Sequence, residues 1–576
     1  MNQASLTSGR KLLASLALGT ALATGCVQPS FAQTATTTPI QHVVVIFQEN
    51  SSFDHYFGTY PIAANPPGEP AFFALNDTPT INGLTAVGPT GGPGSAQGAG
   101  ALLATNTNPV QPFRLGRNQA LTCDQNHAYT AEQQALDAGT LDAFGLPSGK
   151  GGTSATGLGC QDASGNNIAG YAMGYFDGNT VTGLWNYAQH FAINDNSFGT
   201  VYGPSTPGAI NLISGQTHGI VAGAPFTNAQ MVAAGIAVPD GTGVGYTLIS
   251  DNNSNLDDCG SPTSGISYTD PNFPNKNVGD LMNTAGVTWG WFGGGFKPTA
   301  AASGSTPAVC GATTTGHPGV TVPPPGATAA QIHNQINDYN AHHSPFQYYA
   351  STVNPHHLPY SSVAAIGTTD QANHQYDLND FFTALNAGNV PAVSYLKAKN
   401  ANDGHPGNSE SDALSEQAFL VNTINAIMQH EQIWQSTAII IAWDDSDGYY
   451  DHVTGPLVNA SASAADAFQG PGKCGTPAAG AYQGRCGYGP RLPLLVISPY
   501  AKPNFVDHTL TDQSSILRFI EENWNLGFID GPKAPPAGTG SFDRYAGQIN
   551  GMFDFSKTTP APAIFLDPTT GQNTGL

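Results

Sequence analysis

The run His42-Val43-Val44-Val45-Ile46-Phe47-Gln48-Glu49-Asn50 leaves this chain few ways to fold. An unbroken β-branched and aromatic stretch of this length reads as a strand buried on both faces, the pattern of a parallel sheet covered by helices. It stops at a carboxylate beside an amide, which places Glu49 and Asn50 at the strand's C-terminal end, where open α/β sheets bind their ligands. A second such run, Ala438-Ile439-Ile440-Ile441-Ala442-Trp443, ends in Asp444-Asp445-Ser446-Asp447-Gly448. Two strands far apart in sequence each deliver acidic oxygens at their ends. Hard oxygen donors suit a divalent cation, so Glu49, Asn50, Asp444 and Asp445 are expected to form one mononuclear site whose metal the sequence does not name. Taken singly, each cluster is equally well a strand-ending turn, which Asp, Asn, Ser and Gly favour.

The other core elements follow from periodicity. Pro391 to Leu396 is strand-like, Leu420, Ile424, Ile427 and Met428 recur at helical spacing, and Ala438 to Trp443 is a strand again. That β-α-β order predicts a parallel pair with a right-handed crossover. Val287 to Phe292 and Leu492 to Ile497 add strands; Ile516, Leu517, Phe519, Ile520 and Trp524 add a helix. The expected class is α/β, a mostly parallel central sheet with helices on both faces. Residues 83–109 and 298–331 are rich in Gly, Pro, Ala and Thr and lack either period, so they are expected to be long loop insertions in a single domain over 33–576.

At the start, Arg10-Lys11 precede an apolar segment from Leu12 to Ala23, followed by Gly25-Cys26 and Ser30-Phe31-Ala32. This is the layout of a secretory signal over 1–32, too short to span a membrane. Cleavage after Ala32 gives a periplasmic or secreted protein; cleavage before Cys26 gives a lipid-anchored one. Plain export is the preferred reading. It leaves six of the seven cysteines, and in an oxidising compartment these pair most simply in sequence order: Cys123–Cys160, Cys259–Cys310 and Cys474–Cys486. With 17 Lys plus Arg against 39 Asp plus Glu, the net charge of -22 argues against a nucleic-acid partner.

Four collinear motifs carry a resemblance. Glu49-Asn50-Ser51-Ser52-Phe53-Asp54-His55-Tyr56-Phe57-Gly58, Gly203-Pro204-Ser205-Thr206-Pro207-Gly208, Trp443-Asp444-Asp445-Ser446-Asp447-Gly448-Tyr449-Tyr450-Asp451-His452 and the segment from Gly489 to Pro499 resemble the bacterial phosphoesterase family of acid phosphatases and phospholipases C. The resemblance implies an alkaline-phosphatase-like fold and a nucleophile at Ser205. In the notation of serine hydrolases Gly-x-Ser-x-Gly fails, because Pro207 stands where the second glycine belongs. Ser205 is expected in a loop that prolines stiffen and glycines keep unobstructed. Family positions in polar contexts are His127, His342, His343 and His405, expected to bind phosphoryl oxygens and supply protons; His356, His357 and His374 are read as structural. Phospholipases C of the family have Thr followed by x-Pro-Asn-Arg at the nucleophile, whereas this chain has Ser205-Thr206-Pro207-Gly208-Ala209, a departure that leans toward the acid-phosphatase branch. The expected activity is hydrolysis of small phosphomonoesters through a phosphoserine, with phospholipase C action on phospholipid, or metal-independent serine esterase action, as alternatives.

Overall fold

The computed structural model describes residues 34–85, 101–145, 170–269, 276–315, 335–407, 411–466, 474–557 and 561–575. The expected signal segment over 1–32, Cys26, Cys160 and part of each expected insertion (86–100 and 316–331) lie outside the described residues. The central sheet is built from β1 (His42–Gln48), β2 (Ala192–Asn194), β3 (Trp289–Gly293), β4 (Gln375–Asp377), β5 (Val393–Lys397), β6 (Thr437–Trp443), β7 (Leu494–Ile497) and β8 (Phe505–Asp507). Their spatial order is β4-β3-β5-β1-β6-β7-β2-β8. All neighbours are parallel except that β7 runs against both β6 and β2, so the sheet is mostly parallel, as expected.

The hydrophobic run is at the sheet's centre for a physical reason. Val43 to Phe47 are at most 1% exposed, and each such side chain contributes about 1.5–3 kcal/mol only when both faces of its strand are covered. Trp291 and Phe292, successive residues of β3, show the two faces. Trp291 packs against Phe346 and Tyr395, while Phe292 meets Phe381. The helices that matter below are α1 (Phe53–Phe57), α2 (Tyr129–Leu136), α3 (Thr182–His190), α4 (Ser205–Ser214), α5 (Val278–Ala285), α6 (Leu378–Asn386), α7 (Ala413–Gln429) and α8 (Gln513–Trp524). Phe381 belongs to α6, and Gly279 of α5 lies against Trp289 on the opposite face, so helices cover both sides.

One topological expectation is corrected. β5 and β6 are not a directly bonded pair: β1 lies between them, parallel to each. The longest apolar run takes the central slot because that slot buries most surface. A second correction concerns the insertions. Residues 313–315 form a strand that pairs antiparallel with 335–337, and Ala101–Ala104 is a helical turn; both are too short to show a period. Two expected disulfides are present, Cys259–Cys310 and Cys474–Cys486. Cys123 is buried, and Cys160, its expected partner, is outside the described residues. Among the described residues no helix is long and apolar enough to cross a membrane.

The core also holds a carboxyl pair with a measurable consequence. Glu521 on α8 is 2% exposed; burial, and then Asp543, push its pKa up from 4.5 to about 11. A carboxyl whose pKa is raised by folding keeps a proton that the unfolded chain sheds. Its cost is absent below pH 4.5 and grows above it by about 1.4 kcal/mol per pH unit until the folded pKa is reached. Glu521→Gln removes that cost. The melting temperatures of variant and parent should coincide near pH 4 and separate toward pH 8, with the variant higher; a gap independent of pH would mean Glu521 is ionised in the fold.

Candidate active site

The register of the central strands assembles the site. Gln48 of β1 is opposite Trp443 of β6, so the next residues of each strand, Glu49-Asn50 and Asp444-Asp445, emerge side by side at the same edge. Asn50 leaves the strand with φ 40°, a left-handed turn that Asn tolerates better than most residues. Asp444 Oδ1 accepts the amides of Asn50 (3.0 Å) and Asp445 (2.8 Å), which ties the two strand ends together. All four residues are at most 3% exposed.

Ser205 arrives from a different direction and corrects an expectation: it is the first residue of helix α4, not part of a loop. Pro207 fits because the first turn of a helix has no intrahelical use for its amide hydrogens. The helix can approach only because residue 208 is glycine, since a Cβ there would stand 2.1 Å from the Asp444 carbonyl oxygen. Its N-terminus, with the positive end of the peptide dipoles, therefore faces the acidic edge. Ser205 Oγ is 3.1 Å from Asp445 Oδ2, 3.2 Å from Glu49 Oε2 and 3.3 Å from Asn50 Oδ1.

This donor set fits a cation. One hydroxyl proton cannot satisfy three acceptors. The Asn50 amide can turn either end toward Asp444 Oδ1 and Glu49 Oε2, and the buried carboxylates themselves call for positive charge among them. Lys397, at the end of β5, supplies part of it: its ammonium touches Glu49 Oε1 and lies 3.8 Å from Asp444 Oδ2. Glu49, Asp444 and Asp445 present three carboxylates to this one ammonium, an excess of negative charge that a bound cation would offset. Burial, and then Asp444, hold the Glu49 carboxyl well above its usual range, with Lys397 opposing. Burial likewise raises Asp445, with His127 opposing and Asp444 reinforcing.

The histidines divide. His405 Nε2 is 3.1 Å and His127 Nε2 3.4 Å from Asn50 Nδ2. Each turns its Nδ1 to a backbone carbonyl, of Pro406 and Gln125 respectively, which fixes the ring and aims Nε2 inward. Burial opposes charge on His127, but Asp445, Asp447 and Asp124 hold its pKa well above the usual value. Burial lowers His405, His342 and His343. His343 Nδ1 lies 3.2 Å from Glu49 Oε1; His342 packs edge-on against it and reaches Asn340. His357 and His374 are core rings stacked on Phe296 and Trp289, and exposed His356 pairs with Asp258.

Lys397 and Asp447 were not singled out from sequence. Asp447 contacts His127 Nδ1 at 3.3 Å and Asn50 Nδ2 at 3.3 Å; its place in the motif between Asp445 and Gly448 was a signal available beforehand. Lys397 had a weaker one, a lysine closing a buried strand. Beneath the site, Arg491 binds Asp54 of the first motif and Asp451 of the third, both at 3.0 Å. His452 completes that buried cluster through Asp54 at 2.6 Å. The guanidinium neutralises the carboxylates of this cluster and ties three motifs together.

The model of the Phosphoesterase family matches residues 40–527. The chain belongs to this family. Among its relatives, the non-hemolytic phospholipase C of Burkholderia pseudomallei is 32% identical over 146 residues, 24% of this chain and 19% of that protein. Phospholipase C B of Mycobacterium tuberculosis is 22% identical over 493 residues, 85% of this chain and 74% of that protein. The first relative is thus matched over about a fifth of its length. Among solved structures, murine ectonucleotide pyrophosphatase/phosphodiesterase 5 has 12% identity and a TM-score of 0.27, covering 65% of this chain and 95% of that one. The lean toward the acid-phosphatase branch is not borne out, since these sequence relatives are phospholipases C: the departure after Ser205 lies within one turn of α4 and says little about the rest of the chain.

Proposed function

We propose that this family member is an exported phosphoric ester hydrolase acting by double displacement through Ser205. The observation that carries the reading is Ser205 Oγ at a helix N-terminus, within 3.3 Å of three oxygens from two strand ends. Glu49, Asn50, Asp444 and Asp445 would hold one divalent ion, which when bound supplies Lewis-acid stabilisation of negative charge on the seryl and phosphoryl oxygens. Ser205 Oγ gives its proton to Asp445 or Glu49 and attacks phosphorus. His127, held cationic, meets the phosphoryl oxygens and protonates the departing alcohol. Water then attacks the phosphoserine, its proton returns to His127, and the seryl oxygen recovers its own from the carboxyl. Neutral His405, with His342 and His343, orients the group being transferred. Export agrees with the two disulfides.

Small phosphomonoesters are the first substrate class, since the groups gathered at the site all act on the phosphoryl group itself. Phospholipid is the second, favoured by what the relatives are named for. Kinetics with p-nitrophenyl phosphate and phosphatidylcholine, side by side and with and without chelator, separate them. A higher kcat/KM on the monoester supports the first; a higher value on phosphatidylcholine replaces it with the second; chelator-resistant turnover of carboxylic esters alone overturns both.

A further inference from the structure

Glu132 lies on α2, is 1% exposed, and takes no part in the chemistry above. One carboxylate oxygen accepts the hydroxyl of Ser446 at 2.6 Å and the other accepts the amide of Gly203 at 2.8 Å. Ser446 sits between Asp445 and Asp447, and its Oγ also accepts the amide of Gly448 at 3.0 Å, so it holds the turn that presents the acidic residues. Gly203, at φ 115°, starts the turn that presents Ser205. The helix bearing Glu132 begins two residues after His127. A single side chain thus bridges the carrier of the nucleophile and the carrier of the carboxylates, from the segment that carries the cationic histidine. These three segments are far apart in sequence and come from three different connections of the fold.

We infer that Glu132 is a positioning residue for catalysis, setting the distance between Ser205 and Asp445 by bonding the Gly203 and Ser446 backbone turns at once. The inference rests on Ser205 and Asp445 acting together, as proposed above. A carboxylate suits the task because its two oxygens accept two donors in a fixed fork. A Glu132→Gln side chain can reproduce the fork, its oxygen accepting from Gly203 and its nitrogen donating to Ser446, whose hydroxyl rotates. Glu132→Ala removes both bonds, and Glu132→Asp is too short to span them. Displacement of reacting groups by roughly 1 Å costs on the order of 10²-fold.

The test compares Glu132→Ala, Glu132→Asp, Glu132→Gln and the milder Ser446→Ala, each well below its own melting temperature. Turnover of p-nitrophenyl phosphate and phosphatidylcholine is measured together with hydrogen exchange over 200–206 and 444–449. We expect kcat to fall by roughly 10²-fold in the Ala and Asp variants with KM nearly unchanged, faster exchange in both segments at once, and recovery of both properties in Glu132→Gln. Ser446→Ala should loosen its own segment and lower kcat by less, and it carries the test if Glu132→Ala does not fold. Wild-type kcat and protection in a folded Glu132→Ala would overturn the inference, and so would a Glu132→Gln variant as slow as Glu132→Ala, which would assign the charge itself. If the parent turns over no phosphoric ester, the proposed function fails on its own, and the joint loss of exchange protection still decides whether Glu132 ties the two turns.

Discussion

Ser205→Ala is expected to lower turnover by about 10³-fold or more, as when a nucleophile acting as part of a unit is removed, while leaving bound metal in place. Three acceptor oxygens converge on Ser205 Oγ, and the N-terminus of α4 sets the hydroxyl in a positive backbone field. The carboxylates can accept the hydroxyl proton, the dipole field and a bound ion would stabilise the oxygen left behind, and none of these contributes to turnover once that oxygen is gone. The residues proposed to hold the cation follow the ends of β1 and β6 and retain three carboxylates in the variant, so metal analysis should return the parent's stoichiometry. Acid quench during turnover, followed by peptide mass spectrometry, should find phosphate on Ser205 of the parent. Phosphate on a histidine, or inversion of configuration at phosphorus, would replace double displacement with another course.

The second large effect is expected at the carboxylates, and the structure alters how it must be tested. Asp444 Oδ1 accepts two backbone amides and Asp445 Oδ1 accepts the amide of Asp447. Truncation to Ala would strand buried N–H groups at about 1–3 kcal/mol each, mixing a folding defect with loss of metal. Asp444→Asn and Asp445→Asn retain an acceptor oxygen and remove the charge. Each should lose the bound ion and slow turnover by at least roughly 10²-fold, the upper range seen when only an outer partner of a metal ligand is lost. The metal-free variants should melt no lower than metal-free parent, because burial and the neighbouring carboxylate already raise Asp445 and neutralising one group relieves that crowding. Full stoichiometric metal in both variants would place the ion elsewhere.

Much of this molecule was legible in one dimension. The Val43–Phe47 and Ala438–Trp443 runs announced the buried strands, because only strands covered on both faces tolerate uninterrupted apolar residues. The acidic and amide residues ending them pointed to the candidate site, because charge cannot continue into that core. The sequential cysteine pairs were correct for the two bridges described, since both close short loops.

What sequence order could not reveal is which strands are neighbours. The β-α-β pattern from Pro391 to Trp443 suggested an adjacent pair, but the slot between β5 and β6 is filled by β1, some 350 residues earlier in the chain. That choice follows from competition for burial, a property of the whole sheet rather than of any segment. It is also what sets Glu49 beside Asp444 and brings Lys397, at the end of β5, against Glu49. The helical state of Ser205 was likewise hidden, because the Pro and Gly that signal a loop are tolerated in a first turn pressed against the Asp444 backbone. Glu132, an unremarkable residue in a short helical stretch, gained its two partners only when three distant connections closed over one edge. One dimension was enough for the strands, the oxygen-bearing side chains that end them and the edge at which they gather; packing set their register, their charge balance and the distances between them, because those depend on long-range contacts that no local pattern encodes.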